Sequence, residues 1–434
     1  MPSPAPATAP PAFFGWRVTA AAFVAQLVAN AAGLASAGVF VTTLEREFET
    51  TTAVISAGPT LCILLMALVS PFLGRWLDAG PQKLIMMGGV ALLGAGLWIA
   101  SHATTLPALA LGICLFAALG IAAFGPMPSI ALVSRWFVRR RGLAVGVAVA
   151  GATLASAVGP PLAALAIDAL GWRTALRAMA LAALALALPA FALLVVKSPE
   201  EVGQHADGDA HAPPEADVPA EGSVAGHVLR RLDFYLIALG LGLVFASPLV
   251  STMHLPPFAE KELGIASTEL GGVFAAFAAG SLVGKLAFGA LASAVAPRVA
   301  LWANAALLAA GWALLATRPS LEVLVAAGAL FGLGIGAAAP LQAVLIGACF
   351  GRRAFAEVMG LAGLVALPII APATWLAGVL RDAAGSYSPV FAAELAALAV
   401  AALMFAFLRV PQGAAKGAGA LADAPTAPVG PREA

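Results

Sequence analysis

Twelve apolar runs, each roughly 20 residues long or longer, constrain this chain more than any other feature. They lie at about 16–41, 52–73, 84–102, 107–133, 142–167 and 174–196, then at about 234–257, 268–291, 298–317, 321–349, 356–380 and 389–409. A helix of about 20 residues rises far enough to cross the ~30 Å hydrocarbon core of a bilayer. In lipid the backbone N–H and C=O groups find no water, so each run must bond internally and becomes a helix. Composition matters at this point because only 10% of the 434 residues are charged and 61% are hydrophobic. A soluble chain has roughly a quarter of its residues charged. The expected fold is therefore all-α and integral to the membrane, with twelve transmembrane helices in two six-helix, pseudo-symmetric halves.

The runs set the organisation. Residues 1–13 form a Pro-rich tail expected to be disordered, 14–197 the first six-helix half and 233–410 the second. Between them, 198–232 is a linker rich in acids, Pro and Gly, expected to be solvated and disordered. Residues 411–434 form another Pro/Ala tail, also expected to be disordered. With both termini inside, sixteen of the 23 Lys and Arg face the cytoplasm, including Arg75, Lys83, Arg135, Arg139 to Arg141, Arg230, Arg231, Arg352 and Arg353. The positive-inside rule thus places both ends in the cytoplasm, and the chain is expected in the inner membrane.

The halves repeat at an offset of 214. Gly120 meets Gly334, Pro126 meets Pro340, Arg139 meets Arg353, Gly146 meets Gly360, Asp168 meets Asp382 and Gly171 meets Gly385. Their even spread through equivalent spans points to a parallel repeat about an axis along the membrane normal, which is a transporter architecture with its site between the halves near the midplane.

Other classes are excluded. A net charge of +1 without a basic stripe argues against nucleic-acid binding. Cys62, Cys114 and Cys349 lie in apolar runs without ligand spacing and are expected to pack as small hydrophobes. The irregular spacing of His205, His211 and His227 argues against a metal. No P-loop and no nucleophile–base arrangement is present, so neither ATP-driven work nor enzymatic chemistry is expected, and no cofactor.

Within the spans, Lys285 is the most informative residue. A charge at the centre of a membrane helix costs about 3 kcal/mol or more, so it normally faces a cavity or a partner. It either attracts an anionic substrate or snorkels its ammonium to the interface. His254 can relay a proton or serve structurally beside Pro256-Pro257. Glu394 reads as structural or interfacial. Asn30, Gln26 and Ser36 in span one, Phe124 and Ser129 around Pro126, and Gln342 after Pro340 could line a cavity or form interhelical hydrogen bonds. Arg140 and Arg141 read as a solvated charge cluster that sets topology.

Residues 74–83, Gly74-Arg75-Trp76-Leu77-Asp78-Ala79-Gly80-Pro81-Gln82-Lys83, resemble the loop between spans two and three of the major facilitator superfamily. Ala79 stands where a basic residue is usual, and Ser293 where the second half would carry its Asp. Phe14-Gly15-Trp16, Arg135-Trp136-Phe137, Arg140-Arg141-Gly142-Leu143-Ala144, Gly171-Trp172-Arg173, His254-Leu255-Pro256 with Phe258, and Arg381-Asp382 before Gly385 are similar to the branch of monocarboxylate transporters and oxalate:formate antiporters, in its bacterial form. The resemblance covers roughly residues 14–410.

The resemblance implies several roles. Lys285 falls where relatives carry an Arg that binds the substrate carboxylate, and Ser281 where animal relatives carry an Asp of proton coupling. Phe124 falls near an aromatic that lines the carboxylate site. Asp78 is expected to pair with Arg135 or Arg139 and to face a helix N-terminus, forming a gate. The expectation is a monomeric secondary transporter of a small organic anion, exchanging or co-transporting it with a proton or counter-anion. Efflux of hydrophobic drugs and a non-transporting receptor are the alternatives.

Overall fold

In a computed structural model of the chain, residues 12–211 and 224–410 are described. Among them, twelve helices are long and apolar enough to cross a membrane. The first half contains α1 (Gly15–Glu47), α2 (Ala57–Ala79), α3 (Gln82–Ser101), α4 (Leu106–Trp136), α5 (Arg141–Leu170) and α6 (Trp172–Leu194). The second contains α7 (Leu232–Leu263), α8 (Thr268–Ala292), α9 (Pro297–Leu315), α10 (Leu321–Phe350), α11 (Phe355–Ala384) and α12 (Ser388–Phe407). The expected disordered tails fall outside the described residues, apart from Ala12 and Phe13. α1 runs past its apolar stretch to Glu47 through a π-helical turn at Asn30–Leu34.

Twelve crossings put residue 12 and residue 410 on one side, called here the termini end, together with the Arg135–Arg141 loop. The halves meet there along two helix pairs, α2 with α11 and α5 with α8. Lipid tails are as apolar as leucine, so such pairs are held by close packing and hydrogen bonds, and small residues let the backbones approach. At Gly74 a Cβ would lie 2.4 Å from the Ala356 carbonyl oxygen, and at Gly289 it would lie 2.5 Å from that of Gly142. Deeper by about a turn, a Cβ at Gly360 would meet the Ser70 oxygen at 2.5 Å, and one at Gly146 the Lys285 oxygen at 2.1 Å. The offset of 214 carries Gly142 to Ala356 and Gly146 to Gly360. The repeat therefore reappears as two equivalent seams.

Residues 212–223 of the linker lie outside the described residues, and the part before them departs from the expected disorder. Residues 199–209 are not a free tether but form two short turns, Pro199–Val202 and Ala206–Gly208, with Pro199 and Ala206 buried. A short helix, Val224–Val228, packs against α11. Three of the acids that read as solvating residues, Glu200, Asp207 and Asp209, have specific partners, described below.

A bulky residue in the seam should prevent closure. Gly289→Val overpacks the Gly142 contact, and overpacking of about 1–3 kcal/mol shifts the closed population about 5- to 150-fold. Spin-label distances across the termini end should broaden and lengthen; an unchanged distribution would show that the seam tolerates a side chain.

Candidate functional site

Lys285 stands on α8 about 10 Å from its termini end, by a rise of 1.5 Å per residue. Helical side chains lean toward the N-terminus of their helix, which for α8 is away from the termini end. The Nζ accordingly donates back one turn to Ser281 Oγ at 3.1 Å, and across the seam to Thr153 Oγ1 on α5. The ammonium is thus held between the halves rather than turned toward the nearer interface. Thr153 was not legible as a site residue, although it continues the helical stripe of Gly142 and Gly146 that faces α8.

Two hydroxyls occupy two of the three ammonium donors. No carboxylate lies within ion-pair distance of Lys285 among the described residues. A cation in a membrane interior with only neutral partners is uncompensated, and an anionic ligand would complete it. The Thr153 and Ser281 hydroxyls could then turn to donate to the same anion.

The other expected lining residues divide. Phe124 does not join Lys285: its ring is fully buried and packs against Phe191 of α6 at 5.9 Å, inside the first half. Asn30 is half-buried and donates to the Gln26 carbonyl at 2.9 Å, on its own helix. Gln26 donates to Ser129 Oγ at 2.9 Å, an interhelical bond between α1 and α4. Gln342 is half-buried on α10, with no hydrogen bond to Lys285. His254 donates from Nε2 to the Thr374 carbonyl at 2.8 Å and has the Tyr387 hydroxyl 3.4 Å from Nδ1, which fastens α7 to α11 far from Lys285.

At the termini end, Asp78 gathers donors from both halves. Its Oδ1 accepts from Arg135 Nη2 at 2.5 Å and from the Ala356 N–H at 3.2 Å; Oδ2 accepts from the Glu357 N–H at 2.8 Å. Those two amides open α11, where the helix dipole favours an anion. Both side chains of the Asp78–Arg135 pair are about nine-tenths buried. Lys197, just past α6, donates to the Asp78 and Gly80 carbonyls at 2.8 and 2.9 Å. Burial, followed by the nearby Arg135 charge, lowers its pKa from the ordinary value.

The rest of the arginine cluster separates by direction. Arg139 does not reach Asp78; it is exposed and pairs with Asp209 of the linker. Arg140 is exposed. Arg141, expected in solvent, is buried at the seam. Its Nε and Nη2 donate to the Ser134 carbonyl at 3.3 and 3.2 Å, and Nε to that of Phe137 at 3.1 Å. Its guanidinium lies 5.9 Å from the Phe355 ring centre, and a Cβ at Gly347 of α10 would collide with it.

The description of the Major Facilitator Superfamily matches residues 18–261. The chain is similar to monocarboxylate transporter 11 of Mus musculus, 31% identical over 413 residues, covering 90% of this chain and 86% of that protein. Among solved structures it is similar to a bacterial homologue of the iron transporter ferroportin in an outward-facing state, with a TM-score of 0.69 at 15% identity over 90% and 98% of the two chains. It is also similar to the E. coli fucose:proton symporter, with a TM-score of 0.68 at 13% identity over 92% and 98%. At these identities the two structures speak for the fold alone.

The two neighbouring arginines should behave differently. Arg141→Met strips two buried carbonyls of a charged donor and should cost about 2–4 kcal/mol, whereas Arg140→Met should stay within about 0.5 kcal/mol. Thermal unfolding of the purified protein in detergent reads both. Equal melting temperatures would mean that Arg141 is solvated as its neighbour is.

Proposed function

Because the chain belongs to the Major Facilitator Superfamily, in its monocarboxylate-transporter-like branch, we propose that this transporter moves a small organic anion, probed first as a short monocarboxylate, by alternating access. The observation that carries the reading is the Lys285 ammonium, placed across the seam between the halves with two hydroxyl partners and, among the described residues, no ion pair. A carboxylate entering there would gain the charge of Lys285 and hydroxyl donors from both halves. Its binding would therefore depend on how the halves are disposed. Lys is a point charge rather than a planar fork, so it constrains the orientation of a carboxylate less than Arg would. The names of the monocarboxylate relatives support the substrate class.

The cycle follows from the seams. With the positive cluster in the cytoplasm, the closed termini end is the cytoplasmic one, and substrate meets Lys285 from the opposite side. Asp78 is the gate: it can keep its three donors only while α11 stays against α2. When the halves rock the other way, the amides of Ala356 and Glu357 leave the carboxylate and the cytoplasmic side opens. Anion exchange needs no further group. Proton symport needs a titrating one, for which Lys285 and His254 are the residues we propose. The first-half assignment to 14–197, the second to 233–410 and the inner-membrane location belong to the same proposal.

Lys285→Ala is expected to abolish uptake of a labelled short monocarboxylate into proteoliposomes, to below a hundredth of the parent rate, while the protein elutes as a folded species. Uptake at the parent rate by that variant would sink the assignment.

A further inference from the structure

The two seams are equivalent in packing but not in charge, and we propose that the linker supplies what the second one lacks. Gly74 and Gly289 occupy matching places, each against the start of the helix it crosses. Four residues after Gly74 comes Asp78, whose carboxylate caps α11. Four residues after Gly289 comes Ser293, which carries no charge. The start of α5 is therefore without the carboxylate that the repeat would predict from the second half.

A carboxylate is nevertheless there, and it comes from the linker. Asp207 Oδ2 accepts from the Val138 and Arg139 N–H groups at 3.0 and 2.8 Å, and Oδ1 from that of Arg140 at 3.2 Å. These three consecutive amides lead directly into Arg141, the first residue of α5. To reach them Asp207 adopts φ 59°, a left-handed conformation that residues other than Gly seldom take. The segment has further fastenings to the first half: Asp209 pairs with Arg139, Gln204 Oε1 accepts from the Phe14 N–H at 3.0 Å, and Gln204 Nε2 donates to the Ala12 carbonyl at 3.2 Å. It also crosses to the second half, where Glu200 pairs with Arg352 at 2.8 Å. The offset of 214 places Arg352 opposite Val138, the first amide that Asp207 holds.

Residues 199–209 thus form an electrostatic strap over the termini end. Asp207 fixes the strap to the α5 start, and Glu200 hooks it onto the loop before α11. For that end to open, Glu200 must release Arg352. Glu200 and Asp207 are positioning residues of the transport cycle: they touch no substrate and set how long the end stays closed. A half-exposed ion pair of this kind shifts a two-state population by about two- to fivefold. The inference rests on the reading of Asp78 as the gate, and the test separates the two.

The test uses the full chain with Cys62, Cys114 and Cys349 replaced by Ser and one reporter, Ser70→Cys. Ser70 lies in the α2–α11 seam, where its hydroxyl donates to the Gly360 carbonyl at 3.1 Å. A membrane-impermeant maleimide is applied from the termini side, and its rate of reaction reports opening of that end. Glu200→Gln should raise the rate two- to fivefold, and Asp207→Asn at least as much. Glu200→Arg with Arg352→Glu should return it to within twofold of the parent, although each single reversal raises it. Asp78→Asn is the control. If it accelerates labelling while the Glu200 and Asp207 variants react at the parent rate, the strap has no part in gating. If Asp78→Asn is also without effect, the gate fails with it. A variant that unfolds more readily yet labels at the parent rate also overturns the proposal, because its role would then be structural alone.

Discussion

Close backbone contact between the two halves is the constraint on which the rest of this structure depends. In water, two half-bundles could be driven together by burying apolar surface. In lipid that force is missing, and the halves hold through contacts that only small residues permit. Gly74 against Ala356 and Gly289 against Gly142 close one end, with Gly360 against Ser70 and Gly146 against Lys285 about a turn deeper. Contacts of backbone against glycine bring no bulky side chain of their own to the water that enters when the seam parts. That property suits halves that rock.

Function enters where the symmetry fails. Ser70 and Lys285 occupy equivalent places, each presenting its carbonyl oxygen to a glycine of the opposite half. One side chain is a neutral hydroxyl; the other is an ammonium that crosses the seam to Thr153. The second asymmetry, Asp78 against Ser293, lies at the termini end and is answered from the linker by Asp207. The arginine cluster serves both. Arg135 turns inward to Asp78, Arg139 outward to Asp209, and Arg141 fills the space beside Gly347 and Phe355.

Much of this was legible in the residues, for identifiable reasons. The twelve helices follow from hydropathy because a bilayer allows a spanning apolar run few alternatives. The pairing of Asp78 with Arg135 follows from a motif whose resemblance carries its partner. Arg141 was misread because three consecutive arginines look alike in one dimension, and only the third belongs to α5, whose phase turns it inward. The same phase would have found Thr153, which lies two turns beyond Gly146 on the same stripe. Phe124 was misplaced since an aromatic in a span has no mark of facing a cavity or Phe191. Residues 199–209 of the linker were misread through composition: Asp, Glu, Pro and Gly signal solvation, while the three amides that hold Asp207 belong to a segment nearly seventy residues away.

The central claim is that an uncompensated cation at the seam selects an anion. Isotope counterflow in liposomes containing the wild-type protein tests it most directly, with short monocarboxylates compared against their uncharged amides and a lipophilic cation. The account predicts counterflow with at least one monocarboxylate and none with its amide or with the cation. Counterflow of the amide at the rate of the acid, or of the cation alone, would contradict it.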